Sequence, residues 1–243
     1  MRIAVISDIH GNLEAFKAVI ADMAARRPDR VICLGDLVGY GPNPEEVVEL
    51  FRHCGFTAVL GNHDAALHHP GIFSKLNFLA KENSLKTKKL MSQHSLDFCS
   101  GLPESLMMEG ALFVHGFPPS SLQQYLTLTS DTQLENFFRQ NDLPLSFVGH
   151  SHALAMVSWN GQKVTWHTLQ QGSSCLDKNT CYIINGGSVG QPRDGNNNAK
   201  YLLWDSGSNE IEVRFVPYDY NTTINKIIER GFPKVYGIQL GAR

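Results

Sequence analysis

An amide, an imidazole and a carboxylate stand side by side in the stretch VLGNHDAAL. The apolar residues before them are typical of a buried β-strand, whereas Asn62, His63 and Asp64 are poor residues for continuing a sheet. Such a cluster at the tip of a strand can coordinate a metal ion or move a proton. One cluster alone is weak support for a site, so matching residues at other strand ends are needed.

Matching polar side chains follow four further apolar runs of the sequence. They are Asp8 and His10 after RIAVIS, Asp36 after RVICLG, His115 at the end of ALFVHG, and His150 and His152 at the end of LSFVGHSH. Ligands of open α/β sheets bind at the carboxyl ends of the strands. We therefore expect all of these side chains to lie together at one edge.

The residue types indicate which ligand this edge would bind. Carboxylates, imidazoles and an amide, without a thiolate, suit Mn²⁺, Fe²⁺, Co²⁺ or Zn²⁺. A structural zinc site is normally four-coordinate and rich in cysteine, and this set has too many ligands for one ion. Two ions that share a carboxylate fit the number, and ions roughly 3.5–4 Å apart are used to hydrolyse phosphate esters. The sequence therefore predicts a metal-dependent phosphoesterase.

The elements that would position these residues alternate between strands and helices in the first half. Residues 2 to 7 form an apolar run, and the apolar residues that follow, at 13, 16, 19, 20 and 23, have helical spacing. RVICLGD repeats the strand pattern, and a helix is expected from about Pro44 to His53. This alternation predicts a mostly parallel sheet covered on both faces.

The second half has a different pattern. Residues 65 to 105 are expected to be mainly helical, and short strands separated by turns such as Asn160-Gly161 follow them. These strands predict a largely antiparallel sheet. Because the sequence contains neither a low-complexity linker nor an internal repeat, we expect two sheets within one domain of residues 1–243.

The composition limits the function classes. The chain has 243 residues, 42% hydrophobic and 18% charged, which is typical of a globular protein with a full core. A formal net charge of −2 argues against a stable nucleic-acid complex. Five scattered cysteines predict free thiols in a reducing compartment. Without a signal peptide or a membrane-spanning run, we expect a cytoplasmic protein of open oligomeric state.

Five motifs, SDIHGN, LGDLVGYGP, GNHD, VHG and GHSH, occur in an order that resembles the calcineurin-like metallophosphoesterase superfamily. The small, single-domain bacterial and archaeal phosphodiesterase branch is the most similar, and the resemblance runs from residue 3 to about residue 194. It implies a four-layer α/β/β/α sandwich of two mixed β-sheets with a dimetal site at the carboxyl edge of the strands. The implied cofactors are two divalent ions of Mn, Fe, Co, Ni or Zn, with Mn favoured.

The resemblance also implies a role for each motif residue. The first ion would take Asp8, His10, Asp36 and His152, and the second would share Asp36 and take Asn62, His115 and His150. His63 would stand beside the substrate as a general acid, oriented by Asp64, and water bridging the two ions would attack the phosphorus. Gly61 is expected to supply the backbone freedom that the turn requires.

Two candidate substrate-binding residues have open alternatives. Asn12 either caps the first helix or contacts a phosphate. Arg193, in GGSVGQPRDG, either holds a phosphate with its planar fork of donors or is an exposed residue paired with a surface acid such as Asp194. Tyr40 is expected to pack rather than to bind.

The second motif distinguishes this chain from some relatives. It has Gly39 and Tyr40 where the protein phosphatases and the symmetrical diadenosine tetraphosphatases carry Asp-Arg. Without that phosphate-holding arginine, the expected substrates are nucleotides or other small phosphate esters rather than phosphoproteins. The alternative is a non-catalytic protein-interaction module on the same fold. The presence of His63 together with all seven metal ligands favours the enzyme.

Overall fold

A computed structural model of the chain describes residues 1–241, which form two six-stranded sheets and flanking helices. The strands are β1 (Arg2–Ile6), β2 (Arg30–Cys33), β3 (Thr57–Ala58), β4 (Ser105–Met108), β5 (Ala111–Val114), β6 (Leu145–Val148), β7 (Leu154–Trp159), β8 (Val164–His167), β9 (Gly172–Cys175), β10 (Cys181–Gly186), β11 (Ala199–Asp205) and β12 (Glu210–Val216). The helices are α1 (Leu13–Arg26), α2 (Pro44–His53), α3 (Asn62–Ala66), α4 (Pro70–Lys75), α5 (Phe78–Leu90), α6 (Gln93–Ser100), α7 (Asp131–Gln140), α8 (Tyr220–Glu229) and α9 (Lys234–Gly241).

Both sheets are mixed, as the resemblance implied. The first has the order β3-β2-β1-β11-β12-β9, in which β1, β2 and β3 are parallel and the remaining pairs are antiparallel. The second has the order β4-β5-β6-β10-β7-β8, in which β5, β6 and β10 are parallel. The carboxyl ends of the parallel strands of each sheet therefore meet at one edge.

Alternation along the strands produces the four layers. In β1, Ala4 and Ile6 pack with residues of α1 and α2, while Ile3 and Val5 face the second sheet. Strand β5 has the same alternation, with Phe113 between the sheets and its neighbours against α7. Because successive side chains of a strand point to opposite faces, the central strands of the two sheets bury three apolar cores between four layers.

The expectation that each half of the chain forms its own sheet is wrong. Strands β9, β11 and β12 come from the second half but extend the first sheet through antiparallel pairing with β1. The second sheet in turn contains a parallel core. The hairpin at Asn160-Gly161 is confirmed, since it joins the antiparallel strands β7 and β8 and Gly161 has φ +89°.

The predicted first-half elements are close to the observed ones. Helix α1 begins after Asn12, whose side chain accepts a hydrogen bond from the backbone N–H of Ala15, and buries the periodic residues Phe16, Val19 and Met23. Strand β3 is only two residues long, because the chain leaves the sheet well before Asn62. Among residues 1–241, no helix has the length and apolar character needed to span a bilayer.

Candidate metal centre

The structure brings together all of the residues that were expected to bind metal. Two groups of side chains have potential ligand atoms within 4.8 Å of one another, and Asp36 belongs to both: Asp8, His10, Asp36 and His152 in the first, and Asp36, His115 and His150 in the second. Asn62 joins the second group, because its Oδ1 lies 3.0 Å from Nε2 of His115. All of these residues are buried.

Five of these residues have a left-handed backbone conformation. They are Asp8 (φ 54°), His10 (φ 51°), Asp36 (φ 55°), His150 (φ 67°) and His152 (φ 57°). Positive φ in a non-glycine residue costs of order 1–3 kcal/mol and persists only where the surrounding structure enforces it. Backbone strain at five residues whose side chains converge on one point indicates a functional site.

Histidine Nε2 atoms surround one carboxylate oxygen of each aspartate. Oδ1 of Asp8 lies 3.4 Å from Nε2 of His152 and 3.7 Å from Nε2 of His10. Oδ2 of Asp36 lies 3.6 Å from Nε2 of His10 and 3.4 Å from Nε2 of His115. Asp36 therefore stands between the two groups, in the position that a bridging carboxylate requires.

Backbone carbonyl groups fix which ring nitrogen of each histidine faces the centre. The Nδ1 atom of His10 lies 3.0 Å from the carbonyl oxygen of Val38. The Nδ1 atom of His115 lies 2.7 Å from that of Leu34, and the Nδ1 atom of His152 lies 2.8 Å from that of Gln191. A carbonyl can only accept, so these Nδ1 atoms carry a proton, and Nε2 is the ring nitrogen that faces the centre. In His150 the roles are reversed, because Nε2 donates to the carbonyl of Gln123 at 3.1 Å.

The two carboxylates provide a test of whether an ion fits. Oδ2 of Asp8 accepts from Ser7 Oγ at 2.6 Å and from the backbone N–H of His150 at 3.1 Å, and Oδ1 of Asp36 accepts from the backbone N–H of His63 at 2.8 Å. Within residues 1–241, the other oxygen of each has no hydrogen-bond partner although it is buried. Two buried carboxylate oxygens that lie close to imidazole nitrogens suit divalent cations of the kind that prefer N and O ligands.

The electrostatics of the cluster also favour a bound cation. Burial raises the pKa of Asp8 to about 7, and the neighbouring charge of Asp36 adds to this. Burial opposes charge on His115 as well, but the Asp36 carboxylate at 3.4 Å outweighs it and raises the pKa of His115 to about 9. The buried carboxylates thus draw a positive charge into the cluster, which is the charge that a divalent ion supplies.

His63 lies beside the cluster rather than in it. Its ring stands 5.1 Å from that of His10, edge on, and its Nε2 lies 3.1 Å from the hydroxyl of Tyr40. The expectation that Asp64 orients this ring is corrected by the structure. The buried carboxylate of Asp64 instead accepts from the backbone N–H groups of Asp36 (2.8 Å), Gly61 (3.1 Å) and Val38 (3.2 Å), so it holds the loops of Asp36 and Gly61 together.

The reason for a glycine at position 61 also differs from the expected one. Gly61 has φ −97°, an ordinary value for any residue. A Cβ built at this position lies 2.1 Å from Oδ1 of Asp36 and 2.2 Å from its backbone N. The position therefore requires glycine because Asp36 approaches so closely, and the freedom of φ is not the cause.

Asn12 is occupied by structural hydrogen bonds. Its Oδ1 accepts from Ala15 as the cap of α1, and its Nδ2 donates to the carbonyl of Gly190 at 2.9 Å and to the Tyr218 hydroxyl at 3.1 Å. The side chain is 1% exposed. Of the two alternatives left open by the sequence, the geometry favours the helix cap and leaves Asn12 no polar atom for a phosphate.

Arg193 lies with its guanidinium next to the ring and the hydroxyl of Tyr40. Its backbone N–H donates to the carbonyl of His152 at 2.9 Å, and Nη2 of its exposed side chain lies 3.4 Å from the Tyr40 hydroxyl. Its neighbour Asp194 pairs with Lys200 at 2.7 Å. Arg193 therefore does not form the surface pair with Asp194, and its guanidinium contacts Tyr40 instead.

A cleft of about 330 Å³ opens over the cluster. Five of the expected residues line it, Asp36, Asn62, His63, His150 and His152, and its walls also include Tyr40, Lys75, Gln123 and Tyr125. Lys75 donates to the Gln123 side chain at 3.0 Å, and the ring of Tyr125 stacks on His150 at 4.0 Å. The sequence did not predict these four lining residues. Lys75, Gln123 and Tyr125 lie outside the strand-end motifs, and the sequence around Tyr40 does not distinguish a residue that lines a cleft from one that packs in the core.

Comparisons with known proteins agree with this geometry. A family model described as calcineurin-like phosphoesterase matches residues 1–154, which include every expected ligand. The uncharacterized protein MJ0912 of Methanocaldococcus jannaschii is 38% identical over 243 residues, which cover 98% of this chain and 96% of the relative.

Two solved structures are similar over nearly the whole chain. A metallophosphoesterase from Sphaerobacter thermophilus has a TM-score of 0.85 and 34% identity, over 100% of this chain and 98% of that one. The hypothetical protein PH1004 from Pyrococcus horikoshii OT3 has a TM-score of 0.78 over 98% of this chain and 97% of that one, and its 18% identity supports the fold alone. With its motifs, its two mixed sheets and its Asp/His cluster, the chain belongs to the calcineurin-like phosphoesterase family.

Proposed function

We propose that this protein is a dimetal-dependent hydrolase of small phosphate esters, a phosphodiesterase or phosphatase formed by a single domain. The observation that carries the proposal is a pair of buried carboxylate oxygens without a hydrogen-bond partner among residues 1–241, Oδ1 of Asp8 and Oδ2 of Asp36. Each lies among the Nε2 atoms of neighbouring histidines. An arrangement of this kind is costly to bury unless cations complete it.

In this proposal the ligands divide into the two groups that share Asp36. Asp8, His10 and His152 complete the first site with it, and Asn62, His115 and His150 complete the second. When bound, two divalent ions, with manganese favoured, lower the pKa of bound water and neutralise charge on the phosphate. The protein's own contribution is to hold the ligands in place, through backbone carbonyls for the imidazoles and Ser7 for Asp8.

His63 and Arg193 are proposed to act on the substrate itself. His63 lines the cleft and would donate a proton from Nε2 to the leaving-group oxygen. Arg193 would donate two parallel hydrogen bonds to phosphate oxygens, which is supported by its guanidinium lying beside Tyr40 while Asp194 pairs with Lys200. Asp64 contributes by fixing the loops that carry Asp36 and Gly61.

The size and the lining of the cleft support a small substrate. About 330 Å³ accommodates a nucleotide or a similar ester, and Tyr40 and Tyr125 offer aromatic faces beside the cluster. All five cysteines are free thiols, including the buried Cys33 and Cys99, which fits the proposed cytoplasmic location.

A metal-supplemented substrate screen tests this function. Purified protein is stripped with a chelator, reloaded with Mn²⁺, and assayed with p-nitrophenyl phosphate, bis-p-nitrophenyl phosphate and a panel of nucleotides. We expect turnover of at least one ester that requires the added ion. If no mono- or diester is hydrolysed while two ions are bound, a non-catalytic interaction module on this fold becomes the better account.

A further inference from the structure

The hydroxyl of Tyr40 joins the two side chains that are proposed to act on the substrate. It lies 3.1 Å from Nε2 of His63 and 3.4 Å from Nη2 of Arg193. A guanidinium can only donate, so the hydroxyl oxygen accepts from Arg193, and its second lone pair can accept from His63 when Nε2 carries the proton. One oxygen atom therefore contacts both side chains, next to the cleft that Tyr40 and His63 line.

The ring of Tyr40 is wedged between aromatic neighbours. Its centroid lies 4.3 Å from His10, 4.6 Å from His63 in an edge-on contact, and 4.7 Å from Tyr236 of α9. The α8–α9 pair contributes a small apolar cluster against which Tyr40 packs. These contacts leave the ring little freedom to rotate, so its hydroxyl is held in one place.

The backbone of Tyr40 is also clamped in a strained conformation. It has φ 52°, and its N–H and C=O are both bonded by the buried side chain of Asn83 on α5, at 3.0 and 3.1 Å. The preceding Gly39 has φ +100°, and a Cβ there would lie 2.7 Å from Nδ1 of His63. A strained residue that is held by a dedicated buried amide indicates a functional constraint on its position.

We propose that Tyr40 is a positioning residue, whose hydroxyl aligns His63 and Arg193 for the substrate phosphate. The proposal rests on the proposed function. Both partners are long or rotatable side chains at a cleft, and each needs a fixed direction before the substrate arrives. The Tyr40 hydroxyl supplies that direction, and helices α5 and α9 hold it there through Asn83 and Tyr236.

Kinetics of Tyr40→Phe test this role, since phenylalanine keeps the ring contacts and removes only the hydroxyl. We expect full metal content by elemental analysis and a loss in kcat/KM of about 10- to 100-fold, the range typical of small misplacements at a reacting centre. In His63→Ala and in Arg193→Ala backgrounds the same substitution should cost clearly less, because one partner is already gone. The control Tyr182→Phe, which removes a hydroxyl that bonds Asp177 at the far end of β10, should keep wild-type kinetics.

A second readout is independent of turnover. In the zinc-loaded protein, imidazole ¹⁵N spectra should show a shift of the His63 Nε2 resonance in Tyr40→Phe, while those of the exposed His53 and His94 stay unchanged. Wild-type kcat/KM, an equal loss in all backgrounds, or an unshifted His63 resonance would each overturn the positioning role. Absence of turnover in the wild type together with the expected resonance shift would instead remove the proposed hydrolase function and leave only the Tyr40–His63 contact.

Discussion

The Nε2 atoms of His10 and His152 face each other at 2.9 Å, while the Nδ1 atom of each ring donates to a backbone carbonyl. Since both rings carry their proton on Nδ1, two lone pairs meet across this gap. Two acceptors at hydrogen-bond distance repel one another unless a proton or a cation lies between them. With Oδ1 of Asp8 directed at the same point, the pair defines where the first ion is proposed to bind.

Replacing Asp36 with asparagine removes the anion shared by both sites while keeping the size of the side chain. We expect a loss of metal larger than the about 10–100-fold in affinity typical of an outer-shell partner, with turnover nearly abolished. Two cations would then face each other with less screening at short range. Metal content and kcat/KM should stay normal in the control Asp205→Asn, which lies at the other end of the first sheet opposite Arg2. Full activity at wild-type metal content in Asp36→Asn would remove Asp36 from the bridging role.

Truncation of His63 separates catalysis from metal binding. The ring belongs to neither ligand group, and its backbone N–H, which bonds Asp36, is unchanged by the substitution. His63→Ala should therefore retain both ions and lose about 10²–10⁴-fold in rate. The loss should shrink for nitrophenyl esters, whose leaving group needs no proton. His94→Ala, an exposed substitution on α6, is the control. An emptied metal site in His63→Ala would contradict this division of roles.

A methyl group at position 61 should disturb Asp36 directly. The added Cβ lies 2.1 Å from Oδ1 of Asp36, so either the loop or the carboxylate must move. We expect Gly61→Ala to cost about 1–3 kcal/mol in the free energy of unfolding, as overpacking does, and to lower metal content. Gly101→Ala is a matched control, because Gly101 has φ −87° and the nearest atom to its Cβ is 3.4 Å away. Equal stability and metal content in the two variants would show that the close approach to Asp36 is without consequence.

Arg193 is predicted to hold the phosphate through its paired donors. Lysine keeps the charge but loses the planar fork, so Arg193→Lys should weaken kcat/KM with metal content unchanged, and Arg193→Ala should weaken it further. Steady-state kinetics on a well-hydrolysed ester and elemental analysis measure both. An exposed arginine without a role in binding contributes at most about 1 kcal/mol and leaves the rate unaltered. Wild-type kinetics in both variants would assign Arg193 to that class.

The strand tips and the grouping of the Asp and His side chains at one edge could be predicted because they depend on local patterns. Apolar runs that end in Asp8, Asp36 and His115 identify strand tips, and parallel strands bring their tips to one edge. The pairing of β11 with β1 could not be predicted in this way, since its residues lie about two hundred positions apart in the chain and periodicity carries no information on partners.

The roles of individual side chains beside the cluster were harder to predict. Asp64 and Gly61 stand in the same motif as His63, yet one bonds backbone N–H groups and the other makes room for Asp36. Both roles depend on how two loops approach each other in space. The cleft residues Lys75 and Tyr125 come from segments between the motifs, where the sequence pattern does not indicate which side chains face the site.

Turnover as a function of bound metal is the most direct test of a binuclear hydrolase. Chelator-stripped protein is titrated with Mn²⁺, the number of ions per chain is determined by elemental analysis, and hydrolysis of the best ester is measured at each point. The two groups that share Asp36 predict two bound ions per chain, with activity that rises as the second site fills and disappears when the ions are removed. Undiminished hydrolysis by the stripped protein, or a protein that binds no divalent ion at all, would contradict the account.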